Sequence, residues 1–254
     1  MLKEIRFHDL VMRAAGAHSG LVIAPEPGGL TGWRNPAPIR HTVVERPAEH
    51  GAFLLPSYRS GRVVAVNGHV LAETERELEA TTELLAAVPN EANQFVVVNA
   101  EDSRWIKAQL TGLELEFLPS ARGYRTARFQ LQVWSPEPWK YGERHVVKVE
   151  PNTDIEVVNR GTQPAFPVFH ANGYVESGWS LVANGRKITV AQGAATNEVI
   201  SVYSDDVSVV SDIHGELHTQ VSGWPPVLRP GRNSFRFNAN TKNTGTLVFY
   251  DTYS

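Results

Sequence analysis

The chain has 254 residues, 24 Lys+Arg against 27 Asp+Glu, a formal charge of −3 and no cysteine. Without cysteine, disulfides, thiolate metal sites and cysteine nucleophiles are all excluded. Near-neutral charge with no long Lys/Arg block also removes the clustered cations on which a sequence-independent grip on nucleic acid depends.

An apolar content of 42% supports real cores rather than disorder, and the length suits one large or two ordinary domains. The opening MLKEIRFHDLVMRAAGAHSG scatters charges and histidine through its apolar residues, so no secretory leader is expected. No window approaches the roughly eighteen apolar residues of a membrane span. The expectation is a soluble chain that folds in the cytoplasm.

In chain order, strands are expected near Lys3–Phe7, Leu21–Ile23, Ile39–Arg46 and His50–Leu55, punctuated by Gly and Pro. Pro25-Glu26-Pro27-Gly28-Gly29 is too rich in breakers for a central strand and reads as an exposed loop. The run from Arg62 to Ala72 is β-branched and half-alternating, and its Asn67-Gly68 allows a tight turn or a close backbone approach. Thr74 and Glu77 then have capping-box spacing, which predicts a helix over 74–88. Leu78, Leu85 and Val88 fall on one side with Leu84 beside them, and Pro89 ends it. This is the one long helix expected in a mainly β chain.

Further strands are expected at Gln94–Asn99, Trp105–Phe117 and Arg122–Trp134. In the last, Ala127, Phe129, Leu131 and Val133 share one face. Trp134-Ser-Pro-Glu-Pro-Trp-Lys-Tyr-Gly-Glu143 breaks the pattern and reads as an interdomain connector, giving domains 1–138 and 139–254. Beyond it, short strands recur with tight turns, Asn184-Gly185 being a type I′ hairpin signal, and together they predict a β-sandwich.

Chemistry-bearing patterns are sparse. His214-Gly-Glu-Leu-His218 has the i, i+4 histidines of half a zinc site, but Gly215 stands where the metalloprotease pattern needs Glu, and a hairpin tip explains it better. Asp205-Asp206 reads as a solvated turn, since adjacent strand carboxylates point apart. No paired carboxylates for glycoside hydrolysis, G-x-S-x-G elbow or P-loop can be named. The expectation is a non-enzyme with no catalytic residue, metal or cofactor. Arg122, Arg125 and Arg128 form the densest basic cluster, read as a solvated sheet face or an intersubunit contact. Of the six tryptophans, Trp179 and Trp224 are the candidates to stack on a glycan.

These parts, taken in order, resemble the distal tail protein family of long-tailed (siphovirus-type) bacteriophages. The likeness is carried by GLTGWRNPAPIRHTVVERPAEHGAF (Gly29 to Phe53), GRVVAVNGHVLAETERELEATTELLAAV (Gly61 to Val88), GTQPAFPVFHANG (Gly161 to Gly173) and WPPVLRPGRNSFRFN (Trp224 to Asn238). The resemblance implies a tail-tube-like N-terminal β-barrel or sandwich with one helix, and a C-terminal galectin-like β-sandwich. It also implies a homohexameric ring at the virion tail tip, joining tail-tube protein to the tip hub around the passage for tape-measure protein and DNA. Within it, unpaired strand edges of the first half would pair between copies. Candidate subunit-interface residues are His41, Val43, Arg46, His50, Phe53, Val64 and Val66. The alternative is a carbohydrate-binding or receptor-binding baseplate component acting through the C-terminal sandwich.

Overall fold

The structure is a computed structural model that describes residues 1–14, 19–25, 27–121 and 124–254. Glu26 of the expected loop and Arg122 of the basic cluster lie outside the described residues. The chain divides into two compact units, Met1–Lys140 with Ser254, and Tyr141–Tyr253.

The first unit carries β1 (Leu2–Phe7), β2 (Leu10–Arg13), β3 (Gly20–Ile23), β4 (Leu30–Thr31), β5 (Ile39–Arg40), β6 (Tyr58–Arg59), β7 (Arg62–Ala72), α1 (Glu75–Ala86), β8 (Asn93–Asn99), β9 (Ser103–Ala121) and β10 (Tyr124–Ser135). Hydrogen-bonded neighbours run β10-β7-β3-β2-β1-β8-β9, and β9 pairs back onto β10, so seven strands close into a barrel. β2 and β3 run parallel, with Met12 opposite Leu21. Closure follows from alternation: Ala127, Phe129, Leu131 and Val133 of β10 point inward, as do Val64, Val66 and Val70 of β7 and Phe95 and Val97 of β8. The strand β2 has no expectation in the sequence reading, because four residues are too few to show a period.

The helix forms as its cap predicts. Glu77 N donates to Thr74 Oγ1 (3.2 Å), and the backbone N–H groups of Thr74 and Glu73 donate to Glu77 Oε2 (3.3 and 3.0 Å). Leu78, Thr82 and Leu85 are buried, Val88 joins the same core, and Leu84 is half exposed.

At Asn67-Gly68 the outcome is close approach, not a turn. β7 runs straight through, and a Cβ on Gly68 would stand 2.5 Å from the Phe129 ring and 2.4 Å from Val22 O.

The second unit carries β11 (Lys140–Val149), β12 (Asp154–Asn159), β13 (Val168–Asn172), β14 (Trp179–Ala183), β15 (Arg186–Val190), β16 (Val199–Tyr203), β17 (Ser208–Ser211), β18 (Gly215–Glu216), β19 (Val221–Gly223), β20 (Gly231–Asn238) and β21 (Gly245–Tyr253). One sheet runs β11-β21-β13-β16-β17-β18 and the other β12-β20-β14-β15-β19. Their inner faces share one core, in which the Phe169 ring of the first sheet lies 4.9 Å from Phe237 and 5.8 Å from Phe235 of the second. The expected sandwich is thus present. At its β14–β15 hairpin, Asn184 and Gly185 both take positive φ (51° and 79°), as a type I′ turn requires.

Substituting Gly68→Ala should destabilise the first unit by about 2 kcal/mol or more, because the Phe129 ring and a β3 carbonyl must both give way. Urea unfolding checks this, and an unchanged midpoint would show that the barrel wall relaxes freely.

Candidate subunit interface

The segment between β4 and β7 of the first unit keeps apolar stretches outside. It starts from a fixed root. Arg62, 1% exposed, donates through Nη1 to the carbonyls of Trp33 (3.0 Å), Asn35 (3.2 Å) and Gly32 (3.3 Å). Its Nη2 donates to Pro138 O at 2.9 Å. Lys140 Nζ donates to the same Trp33 carbonyl at 3.1 Å, and Arg59 Nη1 to Ala37 O at 3.0 Å. Trp33 itself is buried, with its ring 6.0 Å from Phe95. Burying a cation is costly unless its donors are matched; main-chain carbonyls match both terminal nitrogens of Arg62, while its Nε is buried without a partner.

Beyond this root the chain leaves the barrel as an arm. β5 and β6 pair only with each other, through Ile39 opposite Arg59 and Arg40 opposite Tyr58. One further bridge joins Glu45 to Ala52, with Arg46 N donating to Gly51 O (3.0 Å) and Phe53 N to Val44 O (2.9 Å). Residues 38–58 are all exposed. The expected strands Ile39–Arg46 and His50–Leu55 are therefore corrected to two rungs and a bridge. The prolines at 38, 47 and 56, and apolar residues clustered instead of alternating, leave no face to bury and no ladder to extend.

Ile39, Val43, Val44, Phe53, Leu54, Leu55 and Tyr58 stand exposed on this arm, Leu54 completely (101%). Arg46 lies over the Phe53 ring at 5.6 Å and 3.6 Å from Glu49, which holds the tip together locally. A two-stranded ribbon with that much apolar surface gains little by itself, and such a surface marks an interaction site.

His41, Val43, Arg46, His50 and Phe53, anticipated as interface residues, all lie exposed on this arm. Val64 and Val66 do not belong with them. Both are fully buried on the inner face of β7, whose two hydrogen-bonding edges are occupied by β10 on one side and by β3 and β4 on the other. A charge at either position would test folding, not association. Val44, Leu54 and Leu55 lie within the two stretches expected as strands, and Tyr58 is an exposed arm residue the sequence reading missed.

No protein-family model matches the chain, and no curated protein matches it in sequence. Among solved structures it is similar to the SPP1 Dit (gp 19.1) protein, described as a paradigm of hub adsorption apparatus in phages infecting Gram-positive bacteria. That likeness has a TM-score of 0.64 at 15% identity over 89% of this chain and 92% of that one. The fold is that of a phage distal tail protein. A chain of the phage P2 baseplate, in its activated conformation with Ca, also aligns over 98% of this chain and 97% of that one, at TM-score 0.49 and 6% identity.

In this distal tail fold the other sequence candidates fall as follows. Trp179 is not a glycan platform: it is 1% exposed, its ring packs 5.8 Å from Phe237, and its Nε1 donates to Gln192 O at 2.9 Å. Trp224 is 65% exposed. His214 caps the β17–β18 hairpin, in which Ser211 faces Gly215, while His218 pairs with Glu216. Asp205 and Asp206 lie in an exposed turn, where Asp206 Oδ1 accepts from Ser208 N at 3.0 Å. Arg125 pairs with Glu75 (3.2 Å) and Arg128 with Glu116 (3.3 Å) on their own surface.

Burial holds the Lys140 ammonium down to about 8 from its ordinary 10.5, with Arg62 and then Arg104 adding repulsion. The folded state therefore binds fewer protons than the unfolded chain between these values. The penalty is complete below the folded value and fades as pH rises toward the unfolded one. Lys140→Met should melt higher than wild type near neutral pH, and the gap should narrow by about pH 10. A gap independent of pH would show that the amine is not held in this way.

Proposed function

We propose that this chain is a structural subunit of a phage tail tip, a distal tail protein that assembles into a homohexameric ring without catalysis. The observation that carries the reading is the exposed apolar arm over residues 38–58 on a barrel of seven strands. Contiguous exposed apolar surface of this kind is what an associating element presents. The arm of one copy would lie on the barrel of the next, a head-to-tail contact that closes into a ring when the rotation allows. Phe53, Leu54 and Val43 would supply the apolar centre, and Arg46, His41 and His50 the polar rim. The ring would join tail-tube protein to the tip hub, with tape-measure protein and DNA passing through its lumen. A formal charge of −3 suits a conduit that must let phosphates slide.

Light scattering on the purified chain should give six copies of 28.1 kDa, about 169 kDa, at high concentration. Phe53→Asp with Leu54→Asp should shift that mass to the monomer while leaving the melting temperature of the isolated chain nearly unchanged, since neither side chain packs on its own core. Retention of the oligomer in the double variant would remove the arm from the interface.

The exposed indole of Trp224 favours a second reading, a glycan contact on the C-terminal sandwich. Retention of the wild-type chain on a cell-wall glycan column, lost in Trp224→Ala, would support it; equal elution of both would end it.

A further inference from the structure

Three side chains of the second unit converge where the sequence offers no motif. Glu143 and His145 lie two residues apart on β11, hence on one face, and Asp251 comes from the hydrogen-bonded neighbour β21. One ligand atom from each lies within 4.8 Å of the other two. Asp251 is 2% exposed, and its Oδ1 accepts from Arg160 N at 2.8 Å. That bond aims Oδ2 at His145 Nε2, 3.1 Å away. The approach is off the line of an N–H···O bond, so Nε2 is buried without a hydrogen-bond partner. The imidazole is fixed in that orientation by stacking on Phe249, with centroids 4.7 Å apart and planes at 23°.

We propose that Glu143, His145 and Asp251 form a binding site for a divalent cation of borderline softness, for which Zn²⁺ is the natural probe. One imidazole and two carboxylates are the donor set such ions prefer over calcium or magnesium. Tetrahedral ligation at about 2.0–2.2 Å places ligand atoms roughly 3.3–3.5 Å from one another, close to the spacing His145 and Asp251 already hold. Only Glu143 must move, by about 1 Å, and it is the exposed member. Its present partner is Arg160 Nη1 at 2.9 Å, an exposed pair whose loss costs little. A cation between Nε2 and Oδ2 gives the buried nitrogen the partner it lacks, and water completes the shell. The bound ion would staple β11 to β21 beside the Arg160 turn, which Asp251 already holds. This inference stands on the second unit alone and is independent of the ring.

The test is metal content and thermal stability of the full chain after chelator treatment and dialysis against ZnCl₂. The expected result is one Zn²⁺ per chain more than in His145→Phe, which keeps the ring stacking on Phe249 but has no ligand. The melting temperature should rise by about 5 °C or more at a hundredfold excess over Kd. The other eight histidines contribute equally to both proteins, so the difference isolates the site. Glu143→Gln, an exposed change that leaves folding intact, should weaken Zn²⁺ binding at least tenfold and serves if His145→Phe does not fold. Equal zinc content in wild type and variants, or melting that ignores zinc, would overturn the site.

Discussion

The guanidinium of Arg62 is the contact on which the first unit's outward face depends. It sits at the start of β7 and binds carbonyls from two stretches of chain, Gly32 to Asn35 and Pro138, that are far apart in sequence. Desolvation lowers its pKa from the ordinary value, with Arg59 adding repulsion, yet arginine keeps its charge under such pressure. Four carbonyls match its two terminal nitrogens, and a buried charge deprived of such partners costs about 3–5 kcal/mol. Arg62 therefore fixes where the chain leaves the barrel and where it returns. Lys140 reinforces the same carbonyl of Trp33 from the end of the unit. The consequence is an arm held at its root by these bonds and, toward its tip, by two rungs and a bridge.

Barrel closure and arm exposure are two sides of one arrangement. β9 closes the ring by pairing with β8 through Ser103–Ala108 and with β10 through Gln109–Ala121. The same closure explains why Val64 and Val66 point into a filled interior while Val43 and Phe53, of similar chemistry, stay outside. Position relative to the Arg62 root, not hydrophobicity, separates them.

In the second unit the dominant constraint is aromatic packing between two sheets. Phe169, Trp179, Phe235 and Phe237 meet in tilted and edge-on pairs that consume the indole most suited by sequence to a ligand. Outside that core, the cross-strand group of Glu143, His145 and Asp251 arises because β11 and β21, near opposite ends of the unit in sequence, are neighbours in the sheet.

Local rules read well from the sequence alone. The Thr74–Glu77 capping box, the inward face of β10, the Asn184-Gly185 hairpin and the β-sandwich depend on residues adjacent in sequence or on a period of two, so a linear reading contains them. It also located the arm's residues, though as strands. What it could not contain was any outcome set by distant partners. Whether Asn67-Gly68 turns or runs straight depends on Phe129 lying against it. Whether Trp179 faces a ligand or a core depends on Phe237, and whether Val64 lies on an edge depends on β10 pairing along one side of β7 and β3 and β4 along the other. Those pairings join residues tens of positions apart through close packing, and only the folded chain decides them.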